Sequence, residues 1–222
     1  DIFLESSKAI GSFDAITEGD GVTGGQTVLD VGFSNVNPVL HCPGTILGAS
    51  VMENFGRVFG GNDPYQYSIY SHAYSQSVAE VQYAFYLEQV QLAEAIGVDL
   101  LRYPKKNFMS RTSILGPEYM GDDCIVPFEE QFPMAYGTGP FSIQDRYITE
   151  DVPVGCHIYH QLGKKYGVAT PVIDSMITLG SVMTGQSFFE TGLTLEDLDL
   201  AHLSAEETLA YLEKGQFRKA ES

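Results

Sequence analysis

Ser77-Val-Ala-Glu-Val-Gln-Tyr-Ala-Phe-Tyr-Leu-Glu-Gln-Val-Gln-Leu-Ala-Glu-Ala-Ile-Gly97 reads as one long helix. Val78, Val81, Phe85, Leu92 and Ile96 recur at helical spacing and make a broad apolar face, with Glu80, Glu88 and Glu94 assigned to the outside. Gly97 supplies the residue that tolerates a left-handed stop. A helix of this length and pattern predicts the spine of a core, and its neighbours have to cover its apolar face.

Working outward, the strong signals are again helical. Upstream, Pro43 suits the start of a helix through Ile46, Leu47, Val51 and Met52 to Gly56. Downstream, Val152–Tyr166 reads as a helix closed by Gly167. Thr170-Pro171 then caps and opens a helix over Val172–Thr184, ended by Gly185. Thr194-Leu-Glu-Asp197 and Ser204-Ala-Glu-Glu207 are capping-box patterns for two short helices, the last stopped by Gly215. Strand signals are few and short, chiefly Gln26–Phe33. The expected fold is mainly α, a helical bundle in a single domain over residues 1–222.

Composition bounds the function. The chain of 222 residues is 44% hydrophobic and 18% charged, the balance of a globular protein with a substantial core. Its formal charge of −17 argues against a nucleic-acid partner and against an anionic membrane surface. No apolar run reaches the roughly 18 residues of a membrane span. Cys42, Cys124 and Cys156 are an odd number without C-x-x-C spacing, so free thiols in a reducing, cytoplasmic setting are expected.

Three patterns invite a chemical reading and lack its context. Gly19-Asp-Gly-Val-Thr-Gly24 is a literal G-x-G-x-x-G, but no apolar strand precedes it and no helix opens on it. It reads as a glycine loop and not as a nucleotide site. His157-x-x-His160 places two imidazoles on one helix face, yet no third ligand stands at motif spacing, so no metal is expected. Residues 103–142 are rich in Gly, Pro, Asp and aromatics, with Lys105, Lys106 and Arg111 concentrating positive charge. Such a stretch is either a binding loop or a solvated excursion.

The chemically dense segment is Arg146-Tyr-Ile-Thr-Glu-Asp151-Val-Pro153, an arginine and two carboxylates before a helix-compatible proline. A carboxylate there can cap backbone N–H groups or hold a catalytic side chain. The best candidate for the latter is His41, in Asn35-Val-Asn-Pro-Val-Leu-His41. Asn37, four residues before it, either shares a site one helical turn away or serves as a turn residue before Pro38.

These stretches together resemble the opine dehydrogenase family, which includes octopine and nopaline dehydrogenases. The resemblance is carried by Asp145–Gly155, Leu162-Gly163, Gly167-Val-Ala-Thr-Pro-Val-Ile-Asp174 and Gly192–Leu198. Asn35–His41 and Leu92–Gly97 extend it upstream. It implies an all-α catalytic domain like those of opine and 6-phosphogluconate-type dehydrogenases. An N-terminal Rossmann domain, not present in this chain, would hold NAD or NADP. It also implies small-molecule substrates, an amino acid and a 2-oxo acid such as pyruvate, joined by reductive condensation. By motif, the catalytic set falls on His41, Arg146 and Asp151. Residues 103–140 match the family poorly, so the substrate-binding candidates rest on position and charge alone: Asn37 beside His41, and Lys105, Lys106 and Arg111. On this reading the chain is inactive without its nucleotide-binding partner domain, and a homodimer is left open. The competing readings are a hydroxy-acid reductase acting on a 2-oxo acid alone and a non-catalytic helical binding or dimerisation module.

Overall fold

The computed structural model describes residues 32–33, 35, 37–59, 67–73, 75–98, 100 and 139–214. The glycine loop at 19–25, the segment at 101–138 with Lys105, Lys106, Arg111 and Cys124, and Gly215 all lie outside them. The described residues are helical and contain no sheet; an isolated bridge joins Ser68 to Gly139. In order they form α1 (Asn37–Glu53), α2 (Phe55–Phe59), a π-helical turn π1 (Ile69–Ala73) and α3 (Gln76–Ile96). After the undescribed stretch come α4 (Arg146–Thr149), a second π-helical segment π2 (Asp151–Cys156), α5 (His157–Tyr166), α6 (Pro171–Thr184), α7 (Phe188–Thr191) and α8 (Ala205–Lys214).

The long central helix forms as its pattern predicts, one residue earlier. Ser75 Oγ accepts the Val78 N–H, and Gly97 closes the helix at φ 94°. Phe85, Leu92, Ala79 and Ala93 are fully buried, and α1, α5 and α6 pack against this face. Burying each large apolar side chain contributes about 1.5–3 kcal/mol, which is what holds the helices together. α1 in turn touches π1, α4, π2 and α6, so it sits at the crossing point of the structure.

Several expectations need correcting. The first helix starts at Asn37 and not at Pro43, which lies inside it. Pro43 has no N–H to give to the carbonyl one turn back, and burial of most of α1 outweighs that loss. Gly32 and Phe33, expected at the end of a strand, are helical. Val152–Tyr166 is not a uniform helix; its first turn is the wider π2. Thr194 and Asp197 do bond reciprocally, at 2.9 and 3.1 Å, but only turns follow. Ser204 and Glu207 form the same box and do open α8.

Glu88 is the largest revision. It is 7% exposed, and its two carboxylate oxygens accept the N–H groups of Val172 (2.8 Å) and Ile173 (3.0 Å). The carboxylate of α3 therefore caps the first turn of α6 from outside, where the helix dipole favours negative charge. Thr170 supplies no side-chain cap, because its hydroxyl donates to Asp174 Oδ1 at 3.0 Å.

Candidate active site

α1 carries His41 one turn beyond Asn37. The helix entry is held by Asn35, whose Oδ1 accepts the Asn37 N–H at 3.1 Å. Gln89 of α3 reinforces that entry by donating to the carbonyls of Phe33 and Asn35 and to Tyr159 Oη. On the facing side, Gly155 of π2 lies so close to Pro38 that a Cβ at Gly155 would collide with the proline ring. This close approach seats π2 against α1.

The result is a direct pair: His41 Nδ1 and Asp151 Oδ2 stand 2.6 Å apart, across 110 residues of sequence. The side chains are 8% and 15% exposed, so the bond lies mostly out of water. Tyr147 lies flat on the imidazole, with ring centroids 3.7 Å apart and planes 7° from parallel. Behind them Cys42 and Cys156 are buried free thiols, with Sγ atoms 3.6 Å apart. Burial, and then the neighbouring Cys156, push the Cys42 thiol well above its usual range. Cys42 stays protonated near neutral pH, which makes it packing and not a nucleophile.

Asp151 is thus a partner for histidine, and no ion pair between Arg146 and Asp151 forms among the described residues. Arg146 is exposed on α4. Asn37 is also exposed, on the same helix as His41 and one turn before it. An aspartate bonded to Nδ1 fixes the tautomer and supports an imidazolium, which leaves Nε2 as the proton-exchanging atom. Arg146, unengaged with Asp151, has the planar fork that grips a carboxylate.

The pattern of the NAD/NADP octopine/nopaline dehydrogenase alpha-helical domain matches residues 25–184, most of the chain and all of these side chains. The chain belongs to that family. Its relatives include an opine dehydrogenase of Arthrobacter sp. (strain 1C), 27% identical over 183 residues, 81% of this chain and 46% of the relative. A vitopine synthase of Allorhizobium ampelinum (strain ATCC BAA-846 / DSM 112012 / S4) is 27% identical over 171 residues, 76% of this chain and 43% of the relative. The chain therefore spans less than half the length of these curated relatives. Family membership places the helical bundle among oxidoreductase domains, and no helix of the described residues is long and apolar enough to cross a membrane.

The helical domain of this octopine/nopaline dehydrogenase relative holds a second histidine–carboxylate pair that the sequence reading missed. His160 Nδ1 and Asp174 Oδ1 are 2.7 Å apart. They line an open cavity of about 400 Å³ together with Lys164, Gly167 and Thr170, and neither His41 nor Asp151 borders it. His157, on the same helix face as His160, turns its Nδ1 to the Leu193 carbonyl at 2.8 Å. The available signal was the stop at Gly167, after which α6 follows within a few residues and packs against α5.

Proposed function

We propose that this chain is the substrate-binding and catalytic domain of an opine-type dehydrogenase, reducing the condensation product of an amino acid and a 2-oxo acid. The observation that carries the reading is the 2.6 Å His41–Asp151 bond in a chain of this family. The amine condenses with the keto carbon and releases water; a hydride then adds to the imine carbon and a proton ends on nitrogen. NADH or NADPH supplies the hydride when bound. Family membership supports giving the nucleotide contacts to an N-terminal Rossmann domain, without which the helical domain would be inactive.

The proton traffic belongs to this domain. His41 gives and takes a proton at Nε2, and Asp151 fixes its tautomer and balances the charge on the ring. Arg146 clamps the oxo-acid carboxylate in two parallel bonds. Asn37 binds substrate polar groups beside His41, and Lys105, Lys106 and Arg111 add positive charge for a dicarboxylate product. Such a site works in a cytoplasmic setting where both substrates are soluble.

The test is oxidation of NADH and NADPH by the polypeptide with its nucleotide-binding half, with pyruvate and a panel of amino acids. Turnover that requires both the oxo acid and the amine supports the reading. Turnover with the oxo acid alone assigns the protein to the hydroxy-acid reductases. Tight substrate binding with no turnover assigns it to non-catalytic modules.

A further inference from the structure

We propose that Tyr147 is a positioning residue for the His41–Asp151 pair: its ring holds the imidazole plane on Asp151 and stabilises the protonated ring through its face. This rests on the dehydrogenase reading of His41. A carboxylate bonded to Nδ1 fixes one edge of an imidazole. The flat contact with Tyr147, 7° from parallel at 3.7 Å, sets a wall against its face. The electron-rich face of a phenol also attracts an imidazolium more than a neutral imidazole, so the contact strengthens as His41 gains its proton.

Tyr147 is itself held. Its carbonyl accepts the Cys42 thiol at 3.9 Å, a contact from the residue adjacent to His41. The next residue, Ile148, is fully buried. The start of α4 is tied down by Asp145, whose Oδ2 accepts the N–H groups of Phe141 (2.6 Å) and Ser142 (3.2 Å). The tyrosine is therefore a fixed wall and not an adaptable surface residue.

Asp151 meets His41 from π2 and Tyr147 from α4, while the buried Cys42 and Cys156 thiols stand behind. Arg146 is exposed on α4. Among the other titratable groups on elements packed against α1, His72 of π1 contacts Phe55 and Tyr67, Tyr83 and Tyr86 of α3 contact each other, Glu88 of α3 caps the start of α6, Asp174 of α6 bonds His160, and Arg57 of α2 is exposed. Glu80 and Glu94 of α3 are exposed.

The experiment compares Tyr147→Phe and Tyr147→Leu in the polypeptide that includes its nucleotide-binding half, reading kcat, KM for the oxo acid and the NMR titration of His41. Tyr147→Leu is expected to lower kcat about tenfold with KM within about twofold, and to lower the midpoint of the His41 titration. Tyr147→Phe, which keeps the ring face, should restore all three to within about twofold. Should the leucine variant fail to fold, Tyr147→Met makes the same comparison. An unchanged His41 midpoint in the leucine or methionine variant overturns the proposal. So does a phenylalanine variant as impaired as leucine, since the hydroxyl and not the face would then matter. His41→Ala in the same series separates the two ideas: full turnover there removes the catalytic reading of His41, while the titration still reports on Tyr147.

Discussion

Two histidine–aspartate pairs with nearly the same bond occupy opposite settings in this domain. His41–Asp151 joins α1 to π2 across 110 residues, while His160–Asp174 joins neighbouring helices across 14. The first carboxylate is 15% exposed and the second 41%. Asp174 shares its bonding oxygen with the Thr170 hydroxyl, and His160 meets Phe189 edge-on, with ring centroids 5.0 Å apart. His41 instead lies flat on Tyr147. A carboxylate on Nδ1 therefore does not define a site by itself. The local pair follows from two consecutive helices and the short turn between them, whereas the distant one exists only when the whole bundle has formed.

The most direct way to break this contrast is to remove each imidazole. His41→Ala should reduce kcat by about 10²–10⁴-fold in the steady-state assay. His160→Ala should leave kcat within about threefold; a hundredfold loss there would make the second pair the working one. Next, Asp151→Asn keeps the shape but permits the wrong tautomer, and a loss of at least about a hundredfold is expected. Asp174→Asn should change kcat only a few-fold under the same conditions.

The supports of the two pairs sharpen the distinction. Glu88→Ala leaves the Val172 and Ile173 N–H groups without an acceptor beside Asp174. It should cost about 1–3 kcal/mol for each in urea unfolding, with little change in kcat. Gly155→Ala drives a methyl into Pro38 between α1 and π2. It should destabilise by about 1–3 kcal/mol and also lower kcat, because the strain falls on the first pair.

The smallest effect is a pH dependence. Burial pushes the Glu88 carboxyl above its ordinary value, two N–H bonds oppose this, and the nearby Asp174 charge adds to the rise. A carboxyl raised in the folded state favours its protonated form. The stability it contributes is fully present below the unfolded pKa and is lost as pH rises through the folded value. Glu88→Gln does not titrate, so its melting temperature relative to wild type should rise between pH 4 and pH 7. A flat difference across that range would remove the burial argument.

What was legible in the sequence divides along the same line. The helix Gln76–Ile96 and the stops at Gly97, Gly167 and Gly185 follow from local period and from glycines that take φ of 71–94°. Glu88 was misplaced because its partners, the free N–H groups of α6, are more than 80 residues away. Local pattern treats a glutamate on a helix flank as solvated. His41 and Asp151 obey no spacing rule either; residue type alone nominated the histidine as a partner for the 146–153 segment, and the family resemblance gave the two their roles. His160 was weighed only beside His157, through their i, i+3 spacing, and its partner Asp174 stands on the following helix.

The wide turn at Asp151–Cys156 fixes a constraint on chain length. A π-helical segment holds one residue more than an α-helix closing the same gap. Each residue of an α-helix advances the phase by about 100°, so deleting one residue here would swing Asp151 away from His41 unless α5 rotated to compensate. Homologous insertions and deletions should therefore accumulate outside this segment. The register between Asp151 and the start of α5 acts as a count that the chain has to keep.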